Sequence, residues 1–178
     1  MTESAPPPDE LTAKDVARIR RDINHVIETQ GWITLSAYPG ETLPGFSCTA
    51  GLGRKRLPEL IVFGLDPDEA RPTIMQFARL LLAGKCPPFG ERLVGIMEGA
   101  DAMLVEIPHE VAAPYLEAAL EFSPQGFRVL QLLWTEPFAP FPGETGCSAK
   151  HASLQPLLSH PASLSSTLRD IHPAGDRK

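Results

Sequence analysis

Apolar residues in this chain recur with the period of a helix in three stretches and with the period of a strand between them. Val16, Ile19, Ile23, Val26 and Ile27 form the first stripe, Thr12 and Asp15 stand as a capping box with aspartate in the usual glutamate place, and Gly31 follows as a stop. A helix from about Ala13 to Gln30 is predicted. Its other face, with Lys14, Arg18, Arg20, Arg21 and Asp22, reads as solvated. "WITLSAY" then has the content of a strand, "PGETLPG" of a loop, and "FSCTAGL" of a second strand with Phe46, Cys48 and Ala50 on one face. "LPELIVFGL" is apolar on both faces from Leu60 to Phe63, which predicts a central strand.

The second helical stripe is Ile74, Phe77, Ala78 and Leu81, opened by Asp66, Pro67 and Glu69 at N-cap, N1 and N3, with Pro72 expected to kink it or mark a second start. "RLVGIMEGADAMLVEIP" reads as a β-hairpin turning near Glu98 to Asp101. "HEVAAPYLEAALEF" reads as a third helix, ended by Pro124 and Gly126, and "FRVLQLLWTE" as a last strand with Gln131 in its middle. Strands and helices do not alternate strictly, so the expected fold is one α+β domain: a mixed, mostly antiparallel sheet of five or six strands with about three helices, in the order β-β-β-α-β-β-α-β. Residues 1–11 and 161–178 read as flexible tails around a domain spanning 12–160.

Composition narrows the function classes. At 178 residues with 43% hydrophobic content, one core of ordinary size is sufficient and two would be cramped. The formal charge of −6 repels polyanions, which argues against a general nucleic-acid or anionic-membrane surface and leaves room for a local basic patch. No apolar run approaches the roughly 20 residues of a bilayer span. Cys48, Cys86 and Cys147 are odd in number and widely spaced, and no apolar stretch follows Met1; a cytoplasmic, reduced protein is expected.

Few residues assemble into recognisable chemistry. The turn "GLGRKR", Gly51 to Arg56, offers backbone N–H groups and cations for an anion, but its glycines lie between two strands, unlike dinucleotide or P-loop cradles, so a hairpin with solvated Arg54 and Arg56 is preferred. Cys48 reads as a buried structural thiol rather than a nucleophile. Cys147 and His151, with His160 and His172, lack the paired spacing of zinc modules, so no metal is assigned. Glu59, at the entrance to an apolar strand, must be solvated, tied to a cation such as Arg56, or held by backbone donors. Gln131 must hydrogen-bond across the sheet or line a pocket.

In order, the segments "GW", "FSCTAGL", "LPELIVFGL", "LQLLW" and "LQPLL" resemble the motifs of the DUF4262 family of bacterial proteins, over about Gly31 to Leu158. The resemblance falls on Gly31, Trp32, Phe46, Thr49, Gly51, Leu52, Pro58, Glu59, Leu60, Gln131, Leu132, Trp134, Gln155 and Pro156. Cys48 replaces a usual tyrosine and Leu57 a usual histidine. The family carries no established activity, so what the resemblance implies is kinship, and it marks Thr49, Glu59, Gln131 and Trp134 as lining either a pocket at one end of the sheet or a hydrogen-bonded core network.

Two functional readings follow. One is a non-catalytic module that binds a small molecule or a protein partner, with exposed proline-aromatic loops such as "EPFAPFPGE" available for recognition. The other is a small enzyme, or a flavin or phosphorylated-ligand protein with its site near Thr49 to Arg56, since "FSCTAGL" before an apolar strand resembles flavin-binding split-barrel reductases in strand composition. The candidate ligand-binding residues across both are Thr49, Arg54, Arg56, Glu59, Gln131 and Trp134.

Overall fold

A computed structural model describes residues 12–40, 44–123 and 127–158. Helix α1 (Ala13–Gln30) begins at Thr12, whose hydroxyl accepts the Asp15 N–H while the Asp15 carboxylate accepts the Thr12 N–H, and ends on Gly31 at φ 90°. Strands β1 (Ile33–Ala37) and β2 (Phe46–Ala50) follow, then a 3-10 turn (Leu52–Lys55) and β3 (Glu59–Phe63). Helix α2 (Pro67–Leu82), the hairpin of β4 (Leu93–Met97) and β5 (Ala100–Ile107), short helices α3 (His109–Ala112) and α4 (Glu117–Phe122), strand β6 (Val129–Thr135) and helix α5 (Ala149–Leu154) complete the described chain.

The sheet has six strands in the order β1-β2-β3-β6-β5-β4. Among the described strands β3–β6 is the parallel pair and every other neighbour is antiparallel, and Phe89, outside the strands, makes one isolated parallel bridge to Leu104. The single α+β domain with a mixed, mostly antiparallel sheet is therefore as the sequence predicts. Strand β3 lies inside the sheet with all five residues buried, the outcome expected of a run apolar on both faces.

Helices cover both faces. On one, Leu60, Val62, Leu104, Leu130 and Leu132 meet Ile74, Phe77, Ala78 and Leu81 of α2. On the other, Cys48, Ala50, Ile61, Phe63 and Val129 meet Ile27 of α1, Val111 of α3, Leu116 at the start of α4, and Ala119 and Phe122 within α4. Burying Ile74, Phe77 and Leu81 is worth about 1.5–3 kcal/mol each. Together they exceed the ~3 kcal/mol cost of an interior proline, and α2 runs through Pro72 without a second start.

Three expectations need correction. The third helix is not continuous: Pro114 falls in a 3-10 turn (Ala113–Tyr115) that separates α3 from α4, because proline removes an N–H and crowds the preceding turn. A helix beyond the three expected follows Cys147, where the Ser148 hydroxyl accepts the His151 N–H and starts α5. The apolar stripe of α1 is only partly covered, since Ile27 is buried while Val16 and Ile19 stay exposed. The expected helix stop at Pro124 and Gly126 and the tails 1–11 and 161–178 lie outside the described residues. Among the described residues, no helix is long and apolar enough to cross a membrane.

Candidate functional site

Glu59 is fully buried and accepts four hydrogen bonds. The Thr49 hydroxyl donates to Oε2 at 2.6 Å, and Oε1 takes the N–H groups of Gly51 and Gly53, both at 2.9 Å, and the Ser123 hydroxyl at 2.8 Å. Thr49 Oγ1 in turn accepts the Leu60 N–H at 2.8 Å. A buried carboxylate needs such donors to offset its lost hydration, and here the backbone of the β2–β3 turn and the end of α4 supply them. Arg56 is not its partner. The turn's N–H groups thus point inward at a resident carboxylate, so a phosphate arriving there would have to displace it.

Gly51 can be nothing larger: its φ is 110°, and a Cβ there would stand 2.9 Å from both the Gly31 carbonyl oxygen and Ile27 Cγ2. Arg54 leaves the turn outward, its Nε donating to the Phe122 carbonyl and its Nη2 to Asn24 Oδ1, which ties the turn to α4 and α1. Arg56 is exposed, in the left-handed region at φ 59°. Burial, reinforced by the nearby Glu59 charge, pushes the Cys48 thiol up to about 12, so at neutral pH it is a protonated core residue.

A second polar knot lies along β6. Gln131 is fully buried; its Nε2 donates to the Pro156 carbonyl at 2.7 Å and its Oε1 accepts the Leu158 N–H at 3.0 Å. Contrary to expectation it bonds the segment after α5 rather than a facing strand. Three residues on, the Trp134 indole N–H donates to the Phe63 carbonyl at 2.9 Å, while its backbone N–H and carbonyl are both held by the Gln155 amide. Since Gln155 Oε1 accepts there, its other end is the NH2 group, which also lies 3.0 Å from His151 Nε2, and that ring nitrogen is 3.0 Å from the Trp134 carbonyl as well. The His151 ring stands edge-on to Trp134 at 4.9 Å.

The six candidate residues do not converge. Thr49 and Glu59 meet, Arg54 and Arg56 leave the same turn on its outer side, Gln131 sits mid-strand, and Trp134 lies toward the opposite end of β6 from Val129, the residue paired with Glu59. Two clefts flank Trp134: one of about 390 Å³ includes Glu136, Cys147, Lys150 and His151 in its lining, the other, of about 550 Å³, includes Asp68, Glu69, Gln76 and Glu98. Among the described residues no group of three or more His, Cys, Asp and Glu side chains is placed to hold a metal ion; His160 and His172 lie outside them.

A third arrangement was not legible as a site. Asp101, the second residue of β5, is almost fully buried and receives the Phe138 N–H at 3.0 Å and Arg92 Nη1 at 2.7 Å. Those two donors hold its carboxyl below the usual range, the Phe138 N–H most strongly. Arg92 also donates to the Ala139 carbonyl at 2.7 Å and lies over the buried Phe141 ring at 4.5 Å. Glu144 accepts the Phe141 N–H at 2.8 Å. The loop after β6 is thereby fixed at several points, with Phe138 projecting from it 88% exposed and at φ 65°. The proline-aromatic composition of the loop was a signal; the anchoring Asp101 and Arg92, far off in sequence, were not.

The model of the family described as a domain of unknown function, DUF4262, matches residues 26–148. That span includes Thr49, Glu59, Asp101, Gln131, Trp134 and Phe138 and stops short of Gln155. No curated protein and no solved structure matches the chain. With more than half of its length matched, the chain belongs to the DUF4262 family.

Proposed function

We propose that the protein is a non-catalytic interaction module that engages a partner protein through the loop between β6 and α5, with Phe138 as the anchor. One observation carries this reading: an aromatic side chain is 88% exposed on a backbone at φ 65°. The left-handed conformation costs about 1–2 kcal/mol for a residue with a Cβ, and nothing within the domain is gained by exposing the ring. Such a cost is a mark of function when the surroundings impose it, and here Asp101 and Arg92 do so. Aromatic residues that fill a partner's pocket dominate binding energy at interfaces. The exposed Glu136, two residues before Phe138, puts a negative charge beside the knob, so the partner is an apolar pocket edged by lysine or arginine. The polar groups of Glu59, Gln131 and Gln155 are engaged within the chain, which favours this loop over them as the binding element. The setting proposed is the cytoplasm, in keeping with three free cysteines.

The test is a photo-crosslinking residue at position 138, with the same residue at exposed Tyr38 as control. Expected is a discrete adduct from position 138 alone, to a protein that binds the purified wild-type chain and binds Phe138→Ala at least tenfold more weakly. Identical adducts from both positions, or equal affinity for the variant, overturn the reading.

A further inference from the structure

A cleft of about 410 Å³ lies between edge strand β1 and helix α2, lined by Gln30, Trp32, Ile33, Thr34, Arg71, Met75 and Arg79. Arg71, Met75 and Arg79 follow one another at four-residue intervals, so they form one stripe along the helix. Trp32 is half-buried, packed against the core beneath α2 while contributing to the cleft wall. Among the described residues no carboxylate lines this space.

The charge environment is the unusual feature. In a chain with an excess of acids, Arg18, Arg20, Arg92 and Arg128 each pair with a carboxylate and Arg54 is hydrogen-bonded. Among the described residues Arg71 and Arg79, like Arg21 and Arg56, have no ion pair, and these two line one cleft together. A third cation is close: a Cβ on Gly31, between Gln30 and Trp32, would stand 3.1 Å from Lys55 Nζ. Among the described residues the far side of β1 has no strand neighbour, so part of its backbone hydrogen-bonding capacity is open at this edge.

We infer that this cleft binds a small phosphorylated molecule carrying a planar ring, of the nucleotide class. Guanidinium groups match phosphate oxygens in bidentate geometry. Along the helix, eight residues span about 12 Å, so the two arginines reach a ligand with phosphate charge distributed over its length better than a single compact ion. Trp32 and Met75 supply the apolar surface for the ring, as aromatic faces do for bases generally. Thr34 and Gln30 add neutral donors. The site is separate from the Phe138 loop and does not rest on its proposed role.

The experiment is calorimetric titration of the full chain at low and moderate salt with ADP, adenosine and pyrophosphate. Variants are Arg71→Gln, Arg79→Gln and the double substitution, each checked for an unchanged melting temperature without ligand. Both arginines are exposed, so the variants fold. Expected is binding of ADP that is tighter than that of pyrophosphate or adenosine, weakened by salt, reduced at least fivefold by each single substitution and abolished by both. No heat with millimolar ADP, equal affinity for ADP and pyrophosphate, or ADP binding that survives in the double variant overturns the proposal.

Discussion

Gln155 grips Trp134 by both of its main-chain polar groups, accepting its N–H at 2.9 Å and donating to its carbonyl at 2.8 Å. A side-chain amide has the donor and acceptor of a peptide group, and here it bonds β6 as a neighbouring strand's backbone would, two residues beyond Leu132, the last β6 residue in register with β3. Gln155→Leu removes both partners from a half-buried backbone. A loss of about 2 kcal/mol is expected, read as a lower urea midpoint with unchanged slope; an unchanged midpoint would remove the amide from the set of structural locks.

The Glu59 carboxylate holds the β2–β3 turn against Ser123. Glu59→Ala strands the N–H groups of Gly51 and Gly53 and two hydroxyls in a buried place, and a cost of about 3 kcal/mol or more is expected. Thermal denaturation checks it. Retention of the wild-type melting temperature would mean that water replaces the carboxylate freely.

Thiol labelling separates the three cysteines. Cys48 is buried and pushed up to about 12, whereas Cys86 is exposed and Cys147 half-exposed. Treated with iodoacetamide at pH 8, the native protein should gain two alkyl groups quickly and a third only on unfolding, with peptide mapping assigning the slow one to Cys48. Rapid native labelling of Cys48 contradicts the packing described.

Acid should loosen the loop after β6. Because the folded value of Asp101 is depressed, its contribution to stability is complete above the unfolded carboxyl value of about 3.9 and disappears as pH falls through the lower folded value. Stability measured from pH 7 to pH 2.5 should therefore drop less in Asp101→Asn than in the wild type. Parallel curves would show that the Phe138 and Arg92 contacts do not favour the ionised form.

Phe138→Gly is expected to raise stability by up to about 1 kcal/mol, since glycine relieves the left-handed strain and almost no buried surface is lost. A fall of similar size would show that the ring is used within the fold.

What was legible in the sequence is local. The Thr12–Asp15 box and Gly31 bounded α1 correctly, and the two-sided apolar run of β3 announced an interior strand, because caps and periodicity act over a few residues. The position of Glu59 at the entrance to an apolar strand shows that it needs partners, and backbone donors are one of the three kinds the sequence leaves open, but nothing local points to Ser123, which arrives from the end of α4. Gln131 and Trp134 were singled out, but not that the segment around Gln155 and Pro156 closes on both, since contacts across such separations leave no periodic trace. Asp101 looked like a hairpin-turn residue. Its burial depends on Phe138 and Arg92 coming together around it in three dimensions.

The parallel pairing of β3 with β6 also sets an order of events. Strand β3 is apolar on both faces, and its inner neighbour β6 is made only after α2, the β4–β5 hairpin, α3 and α4. While the ribosome is still adding those residues, the nascent β1–β2–β3 meander carries an unpaired, hydrophobic edge that the finished domain never shows. Chaperone demand and the hazard of inclusion-body formation therefore concentrate in that interval of synthesis, and a chain truncated before Val129 retains the hazard permanently.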